Sequence, residues 1–435
     1  MKSLKRLFSN DTHGAWSRRK FIGASILAGL ASACGVKTAD LVNGATSDEI
    51  AEKLAGENIY TKLLGVEPHL PTHDHITRFG GSRMPEEVLQ AMAEANDYFV
   101  DMDELTIAAG KRVAEVVHAE AALITSGAFG GLVLGSAACL TGTDTDKMKA
   151  LPHPSWSKKE CLIQTPHRFF YDRAYRAAGM TIVEVETREQ FVNAINENTA
   201  MTACLAMAEH AHAGDPTVMM PEEHVEIGRK TGVPVMIDAA SELPPTENLT
   251  RYTEMGGDLV IISGGKGLRG PQSTGILAGR ADLIEAARLQ AAPNGHLGRG
   301  MKVGKEEIIG LIVALNRYEQ LDHGAVRATW REKAEYLTAE LQGIESFTAE
   351  LVDEGSGAPY VEIDWDEDVI PMTHREVRDH LRRRPEQRVA LSSLYDSRRI
   401  QTRCMRDGEE VLVARWLRQF FTEGYKNVAA TSASL

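Results

Sequence analysis

The sequence predicts an α/β protein: a mainly parallel sheet covered by helices, followed by a small C-terminal α+β domain. Three observations carry this. Short apolar runs alternate with amphipathic stretches between Ala121 and Gly279, the pattern of strands buried on both faces and linked by crossover helices. Several of these runs break into turns rich in glycine or small residues, as at Thr125-Ser126-Gly127-Ala128 and Ser263-Gly264-Gly265. Beyond Gln342 the runs become half-buried alternations, such as Tyr360-Val361-Glu362-Ile363, which suit a sheet with one open face.

In chain order, Asp48 to Leu54 begins a short helix, and Pro68 to Pro71 marks an extended segment. Met84-Pro85-Glu86-Glu87 reads as a helix start, with proline and acids in the first turn. Helix Leu105 to His118 leads to strand Ala121 to Ile124, and the following turn opens an apolar helix through Leu140. Strands are then expected at 161–163, 181–185, 203–207, 233–237 and 259–262, separated by helices near 173–178, 188–195, 222–231 and 249–255. Thr274 to Gly279 adds a returning strand, and Lys305 to Gln342 forms one long helical region. The small domain takes strands at 348–352, 360–363, 389–391 and 400–403 and helices near 374–381 and 409–421.

Composition is that of a globular chain: 435 residues, 43% hydrophobic and 25% charged. The formal charge is -13, and setting aside residues 1–33, which are net basic, leaves a still more acidic body. Such a body argues against nucleic acid as a partner, because phosphate backbones are bound through clustered Lys and Arg. The basic run Arg382-Arg383-Arg384 reads instead as a helix end, where positive charge suits the macrodipole. Cys139, Cys161, Cys204 and Cys404 are widely separated and lack zinc-ligand spacing, so they read as core residues and no metal is expected.

The amino terminus is set apart as a targeting segment. Ser17-Arg18-Arg19-Lys20-Phe21-Ile22, followed by an apolar run from Gly23 to Leu30, resembles a twin-arginine export signal and is short for a membrane span. The expectation is an exported protein, periplasmic or held as a membrane-anchored lipoprotein. Ala31-Ser32-Ala33-Cys34 fits both a lipid anchor at Cys34 and an ordinary small-residue cleavage site.

The most informative residues are Asp238, ending the apolar run Val233 to Ile237, and Lys266, in the turn after Leu259 to Ile262. Together they read as a pyridoxal 5'-phosphate site. That cofactor needs a lysine amine for its Schiff base and a carboxylate to keep its ring nitrogen protonated. Both residues fall at carboxyl ends of strand-like segments, where open parallel sheets place ligands. The Thr125 to Ala128 turn, at a helix start, is a candidate anion site.

From these residues outward the chain resembles the selenocysteine synthase-like branch of fold-type I pyridoxal phosphate enzymes, and within it the D-glucosaminate-6-phosphate ammonia-lyases. The likeness runs from about Tyr60 to Phe421. It is carried by Tyr98 to Leu105, Ile124 to Ala128, Val235 to Ala240, the Lys266 turn with Gly270-Pro271, and the segment Gly298-Arg299-Gly300-Met301-Lys302-Val303-Gly304-Lys305-Glu306. The expected domain order is an export signal 1–34, connector and N-terminal segment 35–83, large cofactor-binding domain 84–304, linking helical region 305–342, small domain 343–428 and tail 429–435.

The resemblance also implies roles. Lys266 would hold the cofactor and move the substrate α-proton, and Asp238 would hold the ring nitrogen. Thr125, Ser126, Gly127 and Ser263 would bind the cofactor phosphate. His167 would lie over the ring, or else be a satisfied surface histidine. Arg299 and Lys302 would take a substrate carboxylate or phosphate, or else solvate a helix start. His210 would contact substrate. Thr72-His73-Asp74-His75 departs from the family pattern, and its histidines suit polar substrate contacts or a metal.

The function implied is a lyase acting on an amino acid or amino-sugar acid by α-proton abstraction and β-elimination, with release of ammonia and a 2-oxo acid. Racemisation or aldol cleavage of a similar substrate uses the same early chemistry and stays open. Transfer of selenium onto a charged tRNA fits the acidic body poorly, and an exported non-catalytic binding protein would not need both Asp238 and Lys266. The resemblance further implies a homodimer.

Overall fold

The computed structural model describes residues 46–426, except 354, 356, 385, 386 and 393–397, and also residue 428. The twin-arginine motif, Cys34 and the tail 429–435 lie outside the described residues.

Seven strands form the main sheet: β2 (Ala121–Ser126), β3 (Glu160–Gln164), β4 (Thr181–Val185), β5 (Thr199–Leu205), β6 (Val235–Asp238), β7 (Leu259–Ser263) and β8 (Thr274–Gly279). Their order is β2-β8-β7-β6-β5-β3-β4. Every pairing from β7 to β4 is parallel, and β8 runs antiparallel to both of its neighbours. β6, β7 and β8 are buried along their whole length, so successive residues supply opposite faces. Val260, Ile262, Ile276 and Ala278 join the core beneath helices Met102–Val116 and Lys305–Gln320. Leu259, Ile261 and Leu277 join the opposite core beneath helices Gly127–Thr141 and Ala281–Gln290.

β5 starts and ends earlier than the expected 203–207. Thr199 and Thr202 are buried in the ladder despite their polarity, while Ala206 and Met207 already turn towards helix Ala208–Ala211. The expected single helical region 305–342 is two helices, Lys305–Gln320 and His323–Leu341. Asp322 caps the second by accepting the Ala325 N–H at 2.9 Å. Helix Ala281–Gln290 has no counterpart in the sequence reading.

The small domain holds an antiparallel sheet of β9 (Phe347–Val352), β10 (Tyr360–Trp365) and β12 (Arg399–Gln401), in order β12-β10-β9. β11 (Val389–Leu391) does not join it. It pairs in parallel with β1 (Leu70–Thr72), Leu70 opposite Val389 and Thr72 opposite Leu391. Leu70 is therefore part of the small-domain core, and Ile50, Ala51 and Leu54 pack against that core. The amino-terminal segment thus folds onto the carboxyl-terminal domain. This positions the loop after β1.

Candidate active site

β2 and β7 both run antiparallel to β8, so they point the same way, and β6, β5 and β3 continue that direction. With β4 parallel to β3, the carboxyl ends of six strands therefore share one edge, where an open parallel sheet presents ligand sites. Residues 125–127, 238 and 263–266 gather along it.

Asp238 closes β6 and is 5% exposed. Its Oδ1 accepts the Ala240 N–H at 3.0 Å, and Oδ2 accepts no hydrogen bond from a described residue. Burial pushes this carboxyl up, opposed by the Ala240 bond and by the charge of Lys266. A buried carboxylate with an unused oxygen is suited to a cationic N–H donor, which would reverse the cost of its burial. The protonated ring nitrogen of pyridoxal phosphate is such a donor.

Lys266 lies three residues past Ser263, the end of β7, in a turn closed by Gly264 N–H to Thr274 O at 2.9 Å and Gly270 N–H to Gly264 O at 2.8 Å. The glycines are a packing requirement: a Cβ on Gly265 would lie 2.5 Å from Gln272 Cα. Asp238 pairs with Ile261 in the register of β6 and β7, so the Lys266 turn leaves the sheet beside Asp238.

Ser126 caps helix Gly127–Thr141 without a side-chain cap bond, and Gly127 enters it at φ 68°. The first-turn amides of this helix open at the edge, the arrangement of an anion cradle, with the Ser126 hydroxyl making no cap bond. Thr125 donates its hydroxyl to Gly127 O at 2.9 Å, so its hydroxyl proton is already engaged. Ser126 pairs with Thr274 and Ser263 with Gly275, which places both serines at one level across the start of β8. A Cβ on Gly275 would lie 2.5 Å from Gly127 C, so only glycine lets this helix start approach the sheet.

His167 requires a correction. It is fully buried, its Nε2–H donates to Met219 O at 2.8 Å, and its Nδ1 accepts the Leu205 N–H at 3.0 Å. With both nitrogens engaged by backbone, the ring is held neutral and has no proton to exchange. It is a satisfied histidine, though buried rather than on the surface.

His210, on helix Ala208–Ala211, is exposed, with Nε2 3.3 Å from Glu242 Oε2. Glu242 is a buried carboxyl pushed up by desolvation and opposed by His210. Sequence reasoning missed it, although it follows Asp238 by four residues. Arg299 and Lys302 are exposed in the turn ahead of helix Lys305–Gln320 and share no bond with the Lys266 group. The end of that segment does touch the edge, where Glu307 accepts the Ser273 hydroxyl.

A second group joins the Thr72-His73-Asp74-His75 segment noted in the sequence to partners that sequence reasoning missed, Arg83, Arg403 and Glu409, from distant chain. Asp74 Oδ1 accepts the His75 N–H at 2.6 Å and stands 3.3 Å from Arg403 Nη1. Arg83 forks onto Glu409, 2.8 Å to each carboxylate oxygen, while Ser82 Oγ donates to Gly265 O and Arg269 Nε to Arg83 O, both at 2.9 Å. The segment after β1 is thereby clasped between the Lys266 turn and the small domain. Among the described residues no group of three or more His, Cys, Asp or Glu is arranged to hold a metal ion.

Comparison with known proteins identifies the family and the fold. The family model "SelA: L-seryl-tRNA selenium transferase" matches residues 75–330. A Streptomyces protein named 5'-C-glycyluridine monooxygenase-decarboxylase is 34% identical over 304 residues, 68% of this chain and 74% of its own. The D-glucosaminate-6-phosphate ammonia lyase of Salmonella typhimurium is 33% identical over 291 residues, 65% of this chain and 76% of its own. The solved structure of a D-glucosaminate-6-phosphate ammonia-lyase superposes with TM-score 0.72 at 27% identity, covering 84% of this chain and 98% of that one. The chain belongs to the L-seryl-tRNA selenium transferase (SelA) family, and with it to the fold-type I enzymes that depend on pyridoxal phosphate.

Proposed function

We propose that this chain is a lyase that removes the α-proton of an amino acid or amino-sugar acid, expels a β-substituent and releases ammonia and a 2-oxo acid. The observation that supports it most is the Lys266 turn beside a buried Asp238 carboxyl with one unused oxygen. Pyridoxal phosphate, when bound, supplies the sink for the electron pair left on the substrate carbon. Asp238 holds positive charge on the ring nitrogen. Ser126, Ser263 and the first amides of helix Gly127–Thr141 would donate to the phosphate, and Thr125 would join them once its hydroxyl proton turned away from Gly127 O. Lys266 would hold the cofactor through its amine and, as a free amine, would be the base for the substrate α-proton.

The similarity to a D-glucosaminate-6-phosphate ammonia lyase supports an amino-sugar acid as substrate. The relative named a monooxygenase-decarboxylase supports a second reading, in which the α-carboxylate leaves and dioxygen is consumed. Screening D- and L-hydroxyamino acids and amino-sugar acids, phosphorylated or not, for ammonia, carbon dioxide and oxygen uptake separates the two. Ammonia without oxygen uptake supports the lyase; carbon dioxide with oxygen uptake supports the second reading. Absence of ammonia with every substrate ends the lyase assignment.

A homodimer and export belong to the same proposal. Tyr98, Phe99 and Val100 form an exposed apolar run, with Phe99 100% exposed, the kind of patch that a second copy covers. Sizing of the purified protein is expected to give twice the chain mass, and an active monomer would remove the dimer. Protein found only in the cytoplasmic fraction with Met1 intact would remove export.

A further inference from the structure

The four-residue departure Thr72-His73-Asp74-His75 contains two histidines in opposite states. His73 donates Nδ1–H to Asp74 O at 2.6 Å, which leaves Nε2 to accept from His69 Nε2 at 3.2 Å. Its ring is satisfied. His75 is buried, yet its Nδ1 lies 3.6 Å from Asp74 Oδ1, beyond hydrogen-bond length, and no described residue bonds either ring nitrogen. Beside it, Arg403 Nε is buried without a hydrogen-bond partner.

Buried polar atoms are nearly always bonded, and exceptions cluster where a ligand or water completes them. Arg403 Nε is such an atom, and the unbonded His75 ring, 8% exposed, stands beside it at the candidate active site. Ser82 and Arg269 tie the segment to the Lys266 turn, and the charge of Lys266 acts on both Asp74 and His75.

We propose that His75 is a specificity-determining residue, whose ring hydrogen-bonds a hydroxyl on the substrate's carbon chain, with Asp74 as the positioning residue that fixes the loop against Arg403. The proposal rests on the lyase reading for its substrate class. Burial together with Arg403, Arg269 and Lys266 holds the imidazole neutral against the pull of Asp74, so it offers one donor and one acceptor, a match for a hydroxyl rather than for a second anion. His73 takes no part, because its nitrogens are already engaged.

The test uses cofactor-loaded protein and two probes: D-glucosaminate 6-phosphate, which carries hydroxyls, and β-chloroalanine, which carries none. Binding is read from the change in cofactor absorbance, and turnover from ammonia. His75→Ala is expected to weaken D-glucosaminate 6-phosphate binding roughly tenfold, the worth of one hydrogen bond to a buried partner. β-Chloroalanine turnover and the resting absorbance should stay unchanged, and His75→Gln, which keeps a donor and an acceptor, should recover part of the loss. Failure of the wild type to bind the hydroxylated probe, or equal effects on both probes, overturns the proposal. Binding of the hydroxylated probe without ammonia release from either probe would sink the lyase reading while leaving the subsite standing.

Discussion

Asp238 closes one strand and Lys266 lies in the turn after its neighbour, whereas Asp74 and Arg403 meet from opposite ends of the chain. The first pair sits on a rigid edge with backbone bonds on every side. The second is held by a clasp of side chains: Arg83 on Glu409, Ser82 on Gly265 and Arg269 on Arg83. The difference separates two tasks. On the proposed reading the sheet edge carries the chemistry, and the clasp, bonded to the Lys266 turn through Gly265 and Arg269, carries substrate selectivity.

Damage to the edge should abolish turnover. Lys266→Ala is expected to lower ammonia release by about 10²–10⁴-fold, as for loss of a general base, and Asp238→Asn by about 10²–10³-fold, as for loss of a preorganised charge. Both should leave the thermal midpoint close to wild type in cofactor-free protein. A variant of either kind with wild-type turnover would merge the two regions' roles.

Damage to the clasp should act on stability first. Arg83→Met leaves the Glu409 carboxylate, buried in the small domain, with only the Arg406 N–H at 2.9 Å. The expected cost is about 1–3 kcal/mol in denaturant unfolding, together with a raised KM for hydroxylated substrates. An unchanged midpoint would show that the clasp does not hold the segment.

A further effect, confined to acid, is on pH dependence. His69, His73 and His75 near the clasp, and His167 and His224 in the large domain, are all pushed below 6.5 with burial as the first cause; His69 falls to about 4 and His75 to about 3. Folded chains keep these rings neutral while unfolded chains protonate them, so the unfolded state binds more protons once pH falls below 6.5. Stability is therefore complete above that value and is lost progressively towards pH 4. Thermal melts from pH 8 to pH 4 should show the midpoint falling only below about 6.5; a midpoint flat through pH 5 would mean these histidines are charged in the fold.

Much of the edge was legible because its signals are local. Strand Thr181–Val185 and strand Thr274–Gly279 were expected with the bounds observed, and Asp238 and Lys266 stand where the sequence puts the ends of apolar runs. The clasp was not legible. No local pattern says that Leu70 pairs with Val389, or that Arg403 reaches Asp74, because these contacts depend on the fold of the small domain. His167 shows the converse: its position after a strand was correctly read, but its two backbone bonds come from Met219 and Leu205, which sequence spacing does not reveal.

The most direct measurement is borohydride reduction of the cofactor-loaded protein followed by peptide mapping. The reduced cofactor is predicted on the peptide containing Lys266 and on no other. An adduct on a different lysine, or no adduct at all, would contradict the assignment of the site.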